Sequence, residues 1–273
     1  MKNSIETYIV DSFTDQPFKG NPAGVCILKS DLHDNEMLSI TKELGLSETA
    51  FIKKIDKENN YSIRYFSPKT EIPLCGHATL ASAKVVFDKI DFKAVNFITR
   101  QNLNLTIEKS GEEIIMEFPV YDLKPADAPE ALLKALGINS IENCAYNKDT
   151  GILLLEISNV KELSKLSPDY NLLIQAHNSI NGVLVAAPSK EDDFDFHSRY
   201  FWPWSGTNED PVTGATHTFL AKYWSDKLQK KKMRSFQSSE RTGYLDLELL
   251  TNNKLLIRSK AVIMFKGNLN IAF

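Results

Sequence analysis

Three titratable residues of this chain lie in short motifs suited to proton transfer: Glu48 in "LSETAF", His77 in "CGHAT" and Asp210 in "EDPVTG". Carboxylates and imidazoles are the side chains that most often take and return protons during catalysis. Each residue also has an ordinary structural alternative, as an exposed acid at a strand start, a histidine bonded to a carbonyl or an aspartate that caps a helix. The residue types alone leave both interpretations open.

Two glycine motifs, Cys75-Gly76 and Thr213-Gly214, each open a predicted helix beside these residues. A helix N-terminus presents unpaired N–H groups and a partial positive charge, so it favours a bound carboxylate or phosphate. Glycine lets such a ligand approach the backbone, although it also permits an ordinary tight turn. The same partial charge predicts that the charged imidazolium form of His77 is disfavoured.

The elements that must position these residues occur twice. The helical pattern "DNEMLSITKELG" ends at Gly45 and precedes the strands "ETAFIKKI" and "YSIRYF" and the helix "CGHATLASAKVVFDKI". The later patterns "PDYNLLIQAHNSI", "GVLVAAP", "DFHSRYF" and "TGATHTFLAKYWSDKL" follow the same order. A proline-rich connector, "DLKPADAPE", separates the two series. We therefore predict halves at residues 1–125 and 126–273, with a C-terminal strand that is free to cross back to the first.

A repeated pentapeptide supports this duplication. "RYFSP" begins at Arg64 and returns as "RYFWP" at Arg199, 135 positions later in a chain of 273 residues. This period is too long for a solenoid repeat of roughly 20–50 residues. We expect each arginine to tie its loop to a carboxylate and not to contact ligand. If the halves pack about a pseudo-two-fold axis, both glycine motifs clamp one small anion in a cleft.

Composition excludes several classes of function. A net charge of −3 and a pI near 6.0 give no reason to expect nucleic acid as a partner. Three cysteines, Cys26, Cys75 and Cys144, are an odd number without CxxC spacing, so neither disulfides nor a metal site are predicted. No window approaches the roughly 18 apolar residues of a membrane span. We expect a cytoplasmic protein with no membrane or nucleic-acid partner.

At "FKGNPAGV", "LSETAFI", "RYFSP…PLCGHAT" and "RYFWPWSGTNEDPVTGAT" the chain resembles the phenazine-biosynthesis PhzF-like proteins, which are relatives of diaminopimelate epimerase. The resemblance covers nearly the whole chain, and its motifs stand in family order. It implies an α+β, diaminopimelate epimerase-like fold of two pseudo-symmetric halves. Each half wraps a β-sheet around a central helix, and the active site lies between the halves.

The resemblance also implies roles for the titratable residues. Glu48 shuttles a proton to and from a substrate carbon, assisted by His77 and Asp210, without metal or organic cofactor. The implied enzyme is a homodimeric isomerase in a biosynthetic pathway that moves a proton between carbons of a small carboxylate or amino-acid-like substrate. Since a proton shuttle needs a base whose pKa lies near working pH, we expect a partly buried Glu48. Two alternatives stay open, an inactive small-anion-binding protein and a cofactor-independent amino-acid epimerase.

The matching motifs imply a set of substrate-binding residues: Asn21, Cys75, Gly76, Thr213, Gly214 and Ala215. Two of these positions depart from relatives. The epimerase relatives carry a cysteine at both glycine motifs, whereas Thr213 has a hydroxyl too weakly acidic to replace a thiolate, so a two-thiol racemase is not expected. Cys75 is either a small buried side chain or an auxiliary acid. Ala215 replaces a small polar residue, so a substrate hydrogen bond is missing or comes from Thr216 or His217.

Overall fold

Contacts within the chain define two units. A computed structural model describes residues 3–56, 58–190 and 193–271. Met1–Glu117 and Arg258–Phe273 group in the first unit, and Phe118–Ile257 forms the second. These units differ from the predicted halves in the assignment of residues 118–125 and 258–273. The C-terminal segment groups with the first unit because it pairs along ten residues of the first strand.

The N-terminal series contains β1 (Asn3–Ser12), β2 (Asn21–Leu28), α1 (Asp34–Leu44), β3 (Thr49–Lys54), β4 (Asn60–Phe66), β5 (Glu71–Ile72), α2 (Gly76–Lys89), β6 (Ala94–Thr99), β7 (Asn104–Ser110) and β8 (Glu113–Pro119). The second series contains β9 (Lys124–Pro125), α3 (Glu130–Leu136), β10 (Asn143–Asn147), β11 (Ile152–Glu156), α4 (Val160–Lys165), α5 (Tyr170–Ala176), β12 (Gly182–Pro188), β13 (Phe196–Trp202), a 3₁₀ helix (Pro203–Ser205), β14 (Thr207–Asp210), α6 (His217–Leu228), β15 (Lys232–Gln237), β16 (Gly243–Leu249) and β17 (Lys254–Ser259). The last strand, β18 (Ala261–Ile271), pairs with β1.

The first unit wraps its strands around α2. In this unit β1–β2, β3–β4 and β6–β7 pair antiparallel, whereas β2–β3 and β4–β6 pair parallel. Helix α2 packs against β1, β2, β3, β7 and β18. Its buried side chains are mostly small, which lets strands approach it from several sides. They are Ala78, Thr79, Leu80, Ala81, Ser82, Ala83, Val85, Val86 and Phe87.

The second unit repeats this connectivity. Here β10–β11, β12–β13 and β15–β16 pair antiparallel, whereas β11–β12 and β13–β15 pair parallel. The helix α6 occupies the place of α2 in the order and packs against β15 and β16. The duplication predicted from the pentapeptide therefore extends to the strand pairings of each unit. Among the described residues no helix has the length and apolar character needed to cross a membrane.

Two predicted helix ends are confirmed and two are wrong. Gly45 adopts a left-handed conformation with φ of 66° and ends α1, and Gly76 begins α2, both as predicted. Helix α5 ends at Ala176, before the end of the predicted pattern "PDYNLLIQAHNSI". Helix α6, however, begins at His217 and not at the glycine motif. Residues 214–216 form a tighter turn, in which the N–H of His217 donates to the carbonyl of Gly214 at 3.1 Å. The prediction was wrong here because a turn of this kind and a first helical turn have the same sequence signature.

The repeated arginines have the structural role that was expected. Arg64 donates from Nε and Nη2 to the carboxylate of Glu71, at 2.8 Å for each contact. Arg199 makes the same forked pair with Glu209, at 2.7 Å for each contact. Each pair joins the motif strand to the short strand that follows it, so the arginines hold β5 to β4 and β14 to β13. The prediction that they bind a carboxylate of the protein is confirmed.

The third residue of each pentapeptide supports its arginine. Side chains two positions apart lie on the same face of a strand. The guanidinium of Arg64 therefore lies over the ring of Phe66, 5.2 Å from its centroid, and that of Arg199 lies 4.9 Å from Phe201. These contacts add a cation–π attraction to each ion pair. The sequence "RYF" recurs because both units fix the same strand pair in the same way.

Candidate active site

Glu48 and His77 form a close pair in the first unit. Glu48 occupies the turn between the Gly45 cap and β3, and its carbonyl accepts a hydrogen bond from the N–H of Gly24 at 3.0 Å. Its Oε2 lies 3.2 Å from Nε2 of His77. The two side chains are only 13% and 11% exposed. The sequence motifs therefore converge on a preformed, largely buried acid and base.

The backbone that carries His77 is fixed from two sides. Helix α2 begins at Gly76, as predicted, which places His77 in its first turn. Ser12 at the end of β1 donates its hydroxyl proton to the carbonyl of His77 at 2.8 Å. Thr79 donates from Oγ1 to the carbonyl of Cys75 at 2.7 Å and also pairs with the hydroxyl of Tyr65 at 2.6 Å. The backbone that carries the imidazole is thus held by β1 and by the first turn of α2.

Cys75 adjoins this pair. Its sulfur lies 3.5 Å from Nδ1 and 3.9 Å from Nε2 of His77. One donor atom each from Glu48, Cys75 and His77 lies within 4.8 Å of the other two. The Cys75 side chain is 7% exposed. Cys75 is therefore buried, as expected for a small core side chain. It also contacts the candidate acid and base, as an auxiliary acid would have to.

Mutual contact determines the charge states of the pair. Burial acts to raise the pKa of Glu48, but the hydrogen bond and charge of His77, with a hydrogen bond from Ser47, outweigh burial and hold that pKa below its usual 4.5. Burial acts to lower the pKa of His77, but Cys75 and then Glu48 outweigh it and hold that pKa well above the usual 6.5. The pair is a carboxylate with an imidazolium.

Glu48 is largely buried, as expected. The expectation for His77 is wrong, because the partial charge of the α2 N-terminus was expected to disfavour its imidazolium form. Helix ends carry only about half an elementary charge, whereas Glu48 and Cys75 place acceptor groups in direct contact with the imidazole. Partners in contact therefore decide the direction of each pKa shift.

In the second unit, a buried amide fixes the loop that carries Asp210. Asp210 ends β14, and the hydroxyl of Thr213 donates to its carboxylate. Gln237 donates from Nε2 to the carbonyl of Asp210 at 2.7 Å and accepts from the N–H of Thr213 at 2.9 Å. The Gln237 side chain is fully buried. Since α6 begins seven positions after Asp210, this aspartate is not its N-cap.

The residues after the second glycine have different surroundings. Gly214 is buried and Ala215 is exposed. Thr216 donates from Oγ1 to the carbonyl of Thr213 at 2.9 Å. His217 lies 2.9 Å from the same carbonyl through Nδ1, and its Nε2 pairs with a serine hydroxyl in β15 at 2.8 Å. The suggestion that Thr216 or His217 replaces a lost substrate hydrogen bond is not supported, because both side chains are buried and bonded within the unit.

Several positioning residues were missed at the level of sequence. Gln237 and Ser12 lie far along the chain from the motifs they support, at the ends of β15 and β1. Both occupy ordinary strand patterns, so no local signal identifies them. Asn21, predicted from its motif to bind substrate, begins β2 opposite Ser12 and has a fully buried side chain. Its role in binding stays a prediction.

The duplicated units carry different chemical groups at equivalent positions. Glu48 directly precedes β3, which pairs parallel with β2, and its counterpart directly precedes β12, which pairs parallel with β11. Asp210 and its counterpart each end a short strand opposite the motif tyrosine. The corresponding pairs are Glu48 with Asn181, His77 with Ala215, and Asp210 with Ile72. The acid–base pair therefore lies in the first unit and the aspartate in the second.

Comparisons with known proteins cover nearly the whole chain. The family model PhzC-PhzF, described as phenazine biosynthesis-like protein, matches residues 10–267. A phenazine biosynthesis-like domain-containing protein of Mus musculus is 38% identical over 282 residues, covering 96% of this chain and 98% of the relative. An uncharacterized isomerase of Halalkalibacterium halodurans is 38% identical over 266 residues, covering 96% and 97%.

Solved structures agree with the fold. A PhzF-family phenazine biosynthesis protein from Enterococcus faecalis is 33% identical and superposes with a TM-score of 0.91, over 98% of this chain and all of the other. A hydroxyproline epimerase from Agrobacterium vitis is 10% identical with a TM-score of 0.58, over 99% and 94%, a likeness that shows the fold alone. The predicted α+β, diaminopimelate epimerase-like fold is confirmed.

Proposed function

Because this chain belongs to the PhzC-PhzF family of phenazine biosynthesis-like proteins, we propose that it is a cofactor-independent isomerase that moves a proton between carbons of a small carboxylate substrate. The contact between Glu48 and His77 carries the proposal, since anion binding alone does not need a largely buried acid–base pair. A relative over nearly the full length bears the name isomerase. That name supports the reaction class and leaves the substrate open.

In the proposed reaction, Glu48 removes a proton from a carbon that a neighbouring unsaturated group makes acidic. The C–H bonding pair shifts into the unsaturated system, and Glu48 becomes a neutral acid. The same carboxyl group then returns the proton to another carbon, so the product is an isomer. The hydrogen bond from His77 keeps the pKa of Glu48 low. If bound substrate accepts that hydrogen bond in place of Glu48, the pKa of Glu48 rises and Glu48 becomes a stronger base.

The remaining residues are proposed to bind substrate. The first N–H groups of α2, from Gly76 onward, suit a carboxylate because they lack partners within the helix. Asp210 is proposed to orient an amino or hydroxyl group. The loop formed by Thr213, Gly214 and Ala215 is proposed to bind substrate through its backbone N–H groups. Asn21 and Cys75 are the other proposed substrate-binding residues.

Deuterium uptake from solvent tests this function. Small carboxylates that raise the melting temperature of the full chain are incubated with it in heavy water, and proton NMR follows the carbon-bound hydrogens. We expect deuterium at carbon with the unmodified protein and none with Glu48→Gln. Glu43→Gln, an exposed acid on α1, is the matched control. Uptake by Glu48→Gln at the unmodified rate would remove Glu48 from the reaction.

The same experiment separates the alternatives. An epimerase inverts one stereocentre and leaves double bonds in place, whereas an isomerase of the proposed kind moves a double bond. A protein that only binds anions is stabilised by them and exchanges no carbon-bound proton. A homodimer in the cytoplasm is also part of the proposal, and sedimentation velocity tests the dimer through a mass twice the 30.8 kDa of one chain.

A further inference from the structure

We propose that Glu48, Cys75 and His77 form a binding site for a thiophilic divalent cation of the Zn²⁺ class, and that an occupied site cannot transfer protons. The binding stands on the geometry of the three side chains alone. The inhibition rests on the proposed function, because it follows only if Glu48 is the base. The spacing of the cysteines predicts no metal site because the third ligand, Glu48, comes from a segment separate from that of Cys75 and His77.

The donor atoms suit the bond lengths of zinc. Zinc binds imidazole nitrogen and carboxylate oxygen at about 2.0–2.2 Å and thiolate sulfur at about 2.3 Å, usually in tetrahedral sites, which separates nitrogen from oxygen by about 3.3 Å and nitrogen from sulfur by about 3.6 Å. Nε2 of His77 lies 3.2 Å from Oε2 of Glu48 and 3.9 Å from Sγ of Cys75. The nitrogen–oxygen distance matches a tetrahedral site, and the nitrogen–sulfur distance exceeds the tetrahedral value by about 0.3 Å.

The chemistry of the set favours a soft cation. Thiolate and imidazole together select Zn²⁺ over Mg²⁺ and Ca²⁺, which prefer sets of oxygen ligands. Among the described residues, this trio is the group of histidine, cysteine and acidic side chains that meets the spacing for a metal ion. Three protein ligands leave the fourth tetrahedral position open, as in catalytic zinc sites. Water or the carboxylate of a small anion fits that position.

The surroundings hold the ligands in place without closing the site. The carbonyls of Glu48 and His77 accept hydrogen bonds from β2 and β1, and the carbonyl of Cys75 accepts one from Thr79 in α2. Cys75 is 7% exposed, and the side chains of His77 and Glu48 are 11% and 13% exposed, so the site is largely buried and still reached by solvent. Preorganised ligands lose little conformational freedom on binding, which favours affinity.

Metal binding and proton transfer compete for the same electron pairs. A bound cation coordinates the carboxylate oxygen of Glu48 and the ring nitrogen of His77 that now share a hydrogen bond, and the protons of the ligand atoms pass to solvent. The coordinated oxygen of Glu48 can then no longer accept a proton from carbon. We therefore expect Zn²⁺ to inhibit and a chelator to restore activity, and we expect the cation to be no part of the catalysed reaction.

Cobalt spectroscopy tests the site without any substrate. The full chain, freed of metal with a chelator, is titrated with cobalt chloride, and a thiolate-to-cobalt charge-transfer band is followed in the near ultraviolet. We expect one cobalt per chain, displacement by zinc chloride, and a loss of affinity in Cys75→Ala and His77→Ala. The loss should exceed the roughly 10–100-fold cost of removing an outer-shell partner of a metal.

Matched variants decide the outcome. Cys144→Ala removes a buried cysteine of the second unit, and the band should persist in it. Cys75→Ser nearly keeps the side-chain volume and should lose the band even if Cys75→Ala folds poorly. No band with the unmodified chain, or a band that persists in Cys75→Ser, overturns the proposal. Because the assay contains no substrate, its failure leaves the isomerase proposal standing, and a failure to find proton exchange leaves the metal site standing.

Discussion

Oε2 of Glu48 and Nε2 of His77 lie 3.2 Å apart, although Glu48 lies in the turn after α1 and His77 in the first turn of α2. Against the effect of burial, this contact lowers the pKa of Glu48, and Cys75 and then Glu48 raise the pKa of His77. A carboxylate that meets an imidazolium inside a protein loses more solvation than at the surface. The chain maintains that arrangement by fixing both backbones with hydrogen bonds.

The hydrogen bonds of Gln237 to the loop after Asp210 predict a loss of stability for Gln237→Leu. Leucine nearly keeps the volume but leaves the carbonyl of Asp210 and the N–H of Thr213 without the amide that now binds them. An unsatisfied buried polar group costs about 1–3 kcal/mol. Urea unfolding should show a loss of this size. Gln175→Leu, at an exposed position of α5, is the control and should change stability little.

The forked ion pairs predict different costs in the two units. Arg199 is 11% exposed and also donates to two backbone carbonyls, whereas Arg64 is 23% exposed. Arg199→Met should therefore destabilise the protein by about 3–5 kcal/mol, as expected when one member of a buried pair is removed. Arg64→Met should cost clearly less. Denaturant titrations measure the free energy of unfolding of both variants. Equal losses would contradict the conclusion that the more buried arginine contributes more to stability.

His217 predicts a stability that falls in acid. Burial lowers its pKa from 6.5 to about 4, although its bonds to backbone carbonyls act in the opposite direction. The unfolded chain therefore binds a proton before the folded chain does, so stability is lost as the pH falls from 6.5 towards 4. The full loss from this group is about 3 kcal/mol.

His217→Asn should remove that part of the pH dependence. Asparagine places an amide donor near the position of Nδ1 but does not titrate. Urea unfolding of both proteins between pH 6.5 and pH 4 measures how the free energy of unfolding changes with pH. A loss of packing in the variant lowers its stability equally at every pH, so it does not affect this comparison. Parallel curves for the two proteins would show that His217 is not the titrating group.

Sequence patterns predict the elements well where local rules decide. The αL cap at Gly45 and the start of α2 at Gly76 follow from glycine chemistry and helical periodicity, and the duplication follows from one pentapeptide. The short strands β5, β9 and β14 carry too few residues for a periodic signal. Helix α4, with six residues, was missed for the same reason.

The sequence motifs contain Glu48, Cys75 and His77, which the structure brings into contact, but they did not predict the electrostatics of that contact. Motif positions identify Glu48, Cys75 and His77, but their mutual distances depend on how α2 meets the turn before β3. The directions of the pKa shifts depend on those distances, so the sequence alone favoured the weaker influence of the helix end. Gln237 acts only through tertiary contacts, which no local pattern contains.

The central claim is that Glu48 and His77 act as one unit in proton transfer. The most direct measurement is the rate of deuterium uptake at substrate carbon in four proteins: unmodified, Glu48→Gln, His77→Gln and the double variant. A general acid–base group raises the rate about 10²–10⁴-fold. When two residues act as a unit, removing either one loses that factor, and removing the second as well costs little more. We predict that the double variant is no slower than the slower single variant. Losses that multiply, or full activity in Glu48→Gln, would contradict the account.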